Sequence, residues 1–242
     1  MTALETLKKE AVPVRFAAFS ALDRFFRISD PRNGGPPSLH FLVSADIIRL
    51  AKIFPDLRYP GIEGIDAALS RDGEPAAYFR CSDPDFERDQ QGSFDALTLL
   101  YDPFRDCFQD PRGIYPSLHA PDLRPPIGAA DGSWIPAAAV LVSRYAYALG
   151  SPPPAWRLGA LPAESQRDLL LQVITGKNAP EGLKLLQESG FLAVNWPELA
   201  LMRDVTHSKE FHPEGDAWDH TLETFRYRSE ERRVGKECRS RW

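Results

Sequence analysis

Nowhere in the 242 residues does an apolar run approach the roughly 20 positions that a membrane-spanning helix needs. The opening stretch MTALETLKKEAVPVRF also lacks the basic start and apolar segment of a secretion signal. Together these absences argue against a membrane partner and predict a cytoplasmic location. Cysteine is scarce as well. The three present, Cys81, Cys107 and Cys238, form neither a CxxC pair nor an even framework, which excludes a structural zinc ribbon or a disulfide scaffold and predicts reduced thiols. No internal repeat is visible, so solenoid architectures are excluded too.

Hydrophobic residues make up 43% of the chain, enough for one large domain or two small ones with genuine cores. The net charge is -5, yet the last fifteen residues carry six Arg or Lys against three acids, so the remainder is more acidic than the total implies. An acidic body argues against a broad phosphate-neutralising surface, and charge alone gives no sign of nucleic-acid binding.

Thr2 and Glu5 have the spacing of a capping box and predict a short helix ending before Pro13. Val14, Ala18, Leu22, Phe25 and Phe26 fall at helical spacing and predict a second helix, ended by the turn-rich SDPRNGGPPS. LHFLVS (39–44) reads as a buried strand and ADIIRLAKIF as the helix after it. GIDAALS and AAYFRCS, separated by RDGEP, read as a hairpin; FDALTLLYD reads as a brief helix and CFQDPRGIYPSL as a strand running into a turn. After the Pro- and Gly-rich APDLRPPIGAADGS the character changes to helix and short connection, which sets a boundary near residue 130. Helices are expected over 135–149, 162–175 and 179–189. The third should be capped by Asn178 with Glu181, started by Pro180 and ended by Gly190, with Leu183, Leu185 and Leu186 facing a core.

The segment EGLKLLQESGFLAVNWPELALMRDVTHSKEFHPEGDAWDHTL carries, in order, blocks of the form GLxLLxxxGLL, PEL and HPEGDxWxHTL. In these blocks the chain resembles the bacterial CCA-adding tRNA nucleotidyltransferases and their poly(A) polymerase relatives. SRYAYALG (143–150) and DALTLLYD with QDPRGIYPSL are similar to further blocks of that family, so the resemblance samples most of residues 39–225. It implies an α+β fold: a polymerase-β-like nucleotidyltransferase head with a mixed sheet and helices (1–130), an all-helical, RNA-binding-like neck (131–205) and the amino-terminal edge of an HD domain (206–227). It also implies tRNA processing, RNA or nucleotide as partner, and a divalent cation, Mg²⁺ or Mn²⁺, as cofactor.

In such a head, two carboxylates in a DxD element hold metal ions against a triphosphate, neutralising the transferring phosphoryl oxygens. Here that element aligns with GIDAALS: Asp66 takes the first position and Ala68 the second, leaving Asp66 as a residual catalytic carboxylate and metal ligand. The family's phosphate-side glycine pair falls on Ser44 and Ala45, and its following Arg-Asp on Ile48 and Arg49. Its RRDFTxN element falls on DQQGSFD, with Asp95 in place of the Asn, and its base-reading EDxxR on WIPAA (134–138). Four functional blocks are altered while the structural ones persist, which predicts a pseudoenzyme head, the alternatives being an active nucleotidyltransferase in RNA 3'-end processing with rearranged metal ligands and a non-enzymatic RNA-binding adaptor. Ser44, Asp95 and Arg144 remain as substrate-side candidates.

By the same resemblance His220, in DHTLET, stands at the first metal ligand of an HD phosphohydrolase, and His212, Glu214 and Asp216 at substrate-side or structural positions. The adjacent His-Asp pair that should follow occurs nowhere in the chain. RSEERRVGKECRSRW (228–242) resembles a translated sequencing adapter, so the expectation is a non-native tail, a natural chain continuing past Tyr227, and an inert truncated HD domain. On that expectation the helix around His220 lacks its packing partners, and Trp218 and Phe225 become exposed apolar surface.

Overall fold

The computed structural model describes residues 2–26, 39–61, 65–71, 74–82, 94–119, 122–123, 132–149, 158–206 and 215–227. The chain divides into two compact units, Met1–His119 and Ala120–Trp242, so the division falls upstream of the expected residue 130. Among the described residues no helix is long and apolar enough to cross a membrane.

The first unit is α+β. Helix α1 (Ala3–Lys9) is started by the expected capping box: Thr2 Oγ1 accepts from Glu5 N–H, and Glu5 Oε2 accepts from Thr2 N–H at 2.7 Å. The second predicted helix is in fact two elements, strand β1 (Val14–Phe16) and helix α2 (Ala18–Phe26). The break lies at Ala18, whose positive φ of 48° no continuous helix could accommodate. Strand β2 (Leu39–Val43) runs into helix α3 (Ile47–Ile53), and β3 (Ala67–Arg71) pairs antiparallel with β4 (Glu74–Cys81) as the expected hairpin. FDALTLLYD splits into a 3₁₀ turn (Asp95–Thr98) and strand β5 (Leu100–Asp102), which pairs with β6 (Cys107–Gln109).

These strands form one six-stranded mixed sheet in the order β3-β4-β2-β1-β5-β6, with β2 and β4 parallel and the other pairs antiparallel. Alternation sorts β2 onto two faces. Phe41 and Val43 join a core with Val14, Phe79, Leu7 of α1 and Leu50 of α3, while Leu42 packs with Ala17 and Leu100 in a separate cluster. A strand buried on both sides reads as a continuous apolar run, which is why FLV lacks the polar alternation of an exposed strand. A largely buried ion pair ties β1 to β5. Arg15 Nη1 lies 3.0 Å from Asp102 Oδ2, with side chains 13% and 4% exposed, and Arg15 Nε donates to Gln109 Oε1 on β6.

The second unit is mostly helical, with a two-stranded parallel ribbon of β7 (Asp122–Leu123) and β8 (Ala148–Leu149). Helix α4 (Ile135–Tyr145) is buried along most of its length and ends at Ala146 in the left-handed conformation, earlier than the expected 149. It packs on α5 (Ala163–Ile174) and α6 (Ala179–Glu188). Close approach depends on small residues: a Cβ on Gly182 would lie 2.9 Å from Ala139 O, and one on Gly176 would lie 2.0 Å from Ser143 Oγ. Leu183, Leu185 and Leu186 are buried as expected, and Gly190 closes the helix at φ 77°. Asn178, however, makes no side-chain cap; its N–H instead donates to Ser143 O at 2.8 Å. Helix α7 (Phe191–Asn195) and α8 (Pro197–Ala200) follow, and buried Asn195 fixes the preceding loop by accepting from Leu161 N–H at 2.7 Å.

Helix α9 (217–227) follows. Asp216 caps it through Asp219 N–H at 2.7 Å and pairs with Thr206 as a β-bridge, and Arg226 reaches Glu181 of α6 at 3.5 Å. Trp218 is 1% exposed, so the exposure predicted for it is corrected: the capped helix folds back onto the same unit and supplies the contact.

Candidate functional site

In the first unit the residues picked out by sequence gather where β2, β3 and β4 end beside the start of α3. Ser44 follows β2 and is half-buried, and its N–H donates to Pro13 O at 3.0 Å. An amide already engaged by main chain is not available to a phosphate, so the backbone feature that a glycine pair would provide is missing here. Ala45 packs against the core, and Asp46 caps α3 by accepting from Arg49 N–H at 2.7 Å. Ile48 is exposed, and the Arg49 guanidinium donates to Glu10 O.

Asp66 is exposed immediately before β3. Its N–H donates to Phe79 O at 2.9 Å, and its Oδ2 accepts from Cys81 N–H at 2.7 Å. Two residues on, Ala68 is 5% exposed and its N–H and C=O are both bonded to Arg58. Cys81 completes the group, and sequence reasoning gave it no role. Burial first, and then the Asp66 and Asp46 carboxylates, push its thiol up to about 11. A neutral thiol and two carboxylates that each accept a backbone N–H are poor material for a cation cage.

The fit of a divalent cation can be judged on these donors. Metal-assisted phosphoryl transfer needs several oxygens converging on the ions. Here one Asp66 oxygen is taken by the sheet and an alanine methyl stands where the second carboxylate is expected. Among the described residues no group of three or more His, Cys, Asp or Glu could hold a metal. Mg²⁺ or Mn²⁺ does not fit this set.

Asp95 is exposed at the start of its 3₁₀ turn and pairs with Arg112 at 3.4 Å, a surface contact of small energetic weight. Asp89, Gln90 and Gln91 lie outside the described residues. Asp110, next to β6, accepts from Ile114 N–H and Tyr115 N–H at 2.8 Å each and shapes the DPRGIYPSL loop.

In the second unit the stretch aligned with the base-reading element is interior: Trp134, Ile135 and Ala138 are buried at the start of α4. Arg144 is half-buried in the last turn of α4, where its charge complements the negative helix end. His212 and Glu214 lie outside the described residues. Asp216 and His220 are one turn apart, and His220 N–H donates to Asp216 O within the first turn of α9. Asp216 serves as the cap of this helix, so the two do not form a converging ligand pair with any third donor among the described residues. Sequence reasoning missed Arg15 and Asp102. The signal available was a charge inside each of two apolar runs, VRF and LLYD.

No protein-family model matches the chain, and no curated protein matches it. Solved structures do. The Bacillus stearothermophilus CCA-adding enzyme in complex with CTP superposes with a TM-score of 0.53 at 17% identity, over 79% of this chain and 51% of that one. A CCA-adding enzyme with CTP gives 0.49 at 12% identity, over 86% of this chain and 52% of that one. The Thermotoga maritima CCA-adding enzyme complexed with tRNA gives 0.47 at 14% identity, over 86% and 52%. The chain therefore spans about half the length of the structures it matches. At the level of the fold, this chain has a mixed α+β architecture similar to that of the CCA-adding enzyme, whose nucleotidyltransferase head its six-stranded sheet and helices match.

Proposed function

We propose that this chain is a divergent tRNA nucleotidyltransferase-like or poly(A) polymerase-like protein that binds RNA or nucleotide without transferring nucleotides. Its head serves as a binding or positioning module, its neck (131–205) as an RNA-contacting region, and 206–227 as the amino-terminal edge of a metal-dependent HD phosphohydrolase domain. The single observation that carries the reading is the pairing of a nucleotidyltransferase-like fold with a buried Ala68 where metal-dependent transfer calls for a carboxylate. Altered residues at Ser44, at Asp95 and along 134–138 support it from three other positions.

The test supplies labelled CTP or ATP, Mg²⁺ or Mn²⁺, and a tRNA lacking its terminal nucleotides. No incorporation is expected, together with RNA binding whose affinity falls as salt rises. Incorporation that disappears in Asp66→Ala would establish a working transferase with rearranged ligands and refute the proposal. Absence of any RNA or nucleotide binding would refute its other half.

A further inference from the structure

At the amino-terminal end of β3 the chain leaves β4. The last main-chain bond across the pair runs from Asp66 N–H to Phe79 O at 2.9 Å. The next β4 amide aimed at this side belongs to Cys81, and it finds a side chain in place of a carbonyl: Asp66 Oδ2, at 2.7 Å. On the opposite side of β4, Ser82 N–H donates to Val43 O of β2 at 2.9 Å. The terminus of β4 is thus held from both flanks, by main chain on one and by a carboxylate on the other. An amide shielded from water and left without an acceptor is costly, and an ionised acceptor makes the stronger kind of bond. Asp46 is similarly engaged, as the cap of α3.

We propose that Asp66 is a strand-end clamp, a structural acceptor that extends the β3–β4 ladder by one bond, and that it does not act as a ligand for a divalent cation. The inference rests on the proposed reading of the head and gives its surviving carboxylate a role. The acceptor serves Cys81 whether or not a second carboxylate follows two positions on.

Amide exchange followed by NMR on the full chain tests it, with Ser82 N–H as internal reference. Asp66→Ala should accelerate exchange at Cys81 by about tenfold or more, since a hydrogen bond to a charged acceptor is lost, while Ser82 is unaffected. Asp66→Asn retains an acceptor oxygen and should keep Cys81 protected. Millimolar Mn²⁺ should broaden the Asp66 and Cys81 amides no more than those beside the exposed carboxylates Asp95 and Asp122. Unchanged Cys81 exchange in Asp66→Ala overturns the clamp. So does selective Mn²⁺ broadening at Cys81 that vanishes in Asp66→Asn. Should Asp66→Ala also deprotect Ser82, the Asn variant decides: protection kept at Cys81 supports the clamp, and protection lost there alone overturns it. None of these readouts depends on RNA binding or nucleotide incorporation, so the clamp and the functional proposal fail separately.

Discussion

Asp102→Ala is the perturbation with the largest expected effect on the first unit. Its carboxylate is 4% exposed and lies 3.0 Å from the Arg15 guanidinium, itself only 13% exposed. With an effective dielectric of about 20, two unit charges at that distance attract by about 5 kcal/mol before desolvation is counted. Desolvation offsets much of this, but the cost of deletion is set by what remains: an arginine cation in the sheet without its counter-charge, for which about 3–5 kcal/mol is typical. Arg15 retains acceptors in Gln109 Oε1 and Val14 O, which puts the expectation near the lower end, at about 3 kcal/mol. The turn after β5 also loses the acceptor of Phe104 N–H and Arg105 N–H. Asp102→Asn, which keeps an acceptor for those amides, should cost less than Asp102→Ala. In the cycle of Arg15→Met with Asp102→Asn, the double variant should be more stable than the sum of the singles predicts. The assay is urea unfolding by far-UV circular dichroism. All five tryptophans (134, 156, 196, 218 and 242) lie beyond His119, so fluorescence reports directly on the second unit. A cost below about 1 kcal/mol for Asp102→Ala, or an additive cycle, would refute the argument that β1 and β5 are joined by a buried charge pair.

Gly176→Ala should cost about 2–3 kcal/mol in the second unit, read by tryptophan fluorescence, because the new methyl meets Ser143 Oγ at 2.0 Å and Ser143 O at 2.6 Å. Asn195→Ala should cost about 1–3 kcal/mol by leaving Leu161 N–H without its acceptor, and proteolysis in the 158–162 loop should speed up accordingly. Cys81 should be alkylated slowly at neutral pH, with a rate that keeps climbing towards about 11, and mass spectrometry of the modified peptide reports it. The same shift has a sign for stability. The unfolded thiol ionises near about 8.5, so the contribution is fully present below that pH and is lost as pH rises through the folded value. A Cys81 rate that levels off near pH 9 would contradict the burial argument.

Much of the architecture is legible because its signals are local. The capping box at Thr2, the 39–43 strand with its following helix, and the antiparallel pairing of β3 with β4 each depend on near neighbours. What failed was non-local. Val14–Phe16 is too short to display alternation, and its residues match helical spacing with Ala18 and Leu22 by coincidence; three-residue β1 exists because β2 and β5 pair with it. Asn178 looked like a cap, but its amide is drawn to Ser143 from another helix. Trp218 looked unpartnered because the approach of its helix to α6, marked by Arg226 and Glu181 forty-five positions apart, is not displayed in any sequence pattern. At the site, the apolar residue at position 68 is readable directly in the sequence. The occupation of Asp66 Oδ2 by Cys81 N–H was not, since it requires the register of β3 on β4.

The position of β1 has a consequence for how the chain is made. It is made before every other strand of its sheet yet lies inside that sheet, between β2 and a strand that begins at Leu100. Until the chain has been synthesised past Asp102 and Gln109, one flank of that strand has no native mate, so the nascent head carries an open, sticky edge for most of its synthesis. Such distant pairing slows folding and gives chaperones a long interval in which to bind.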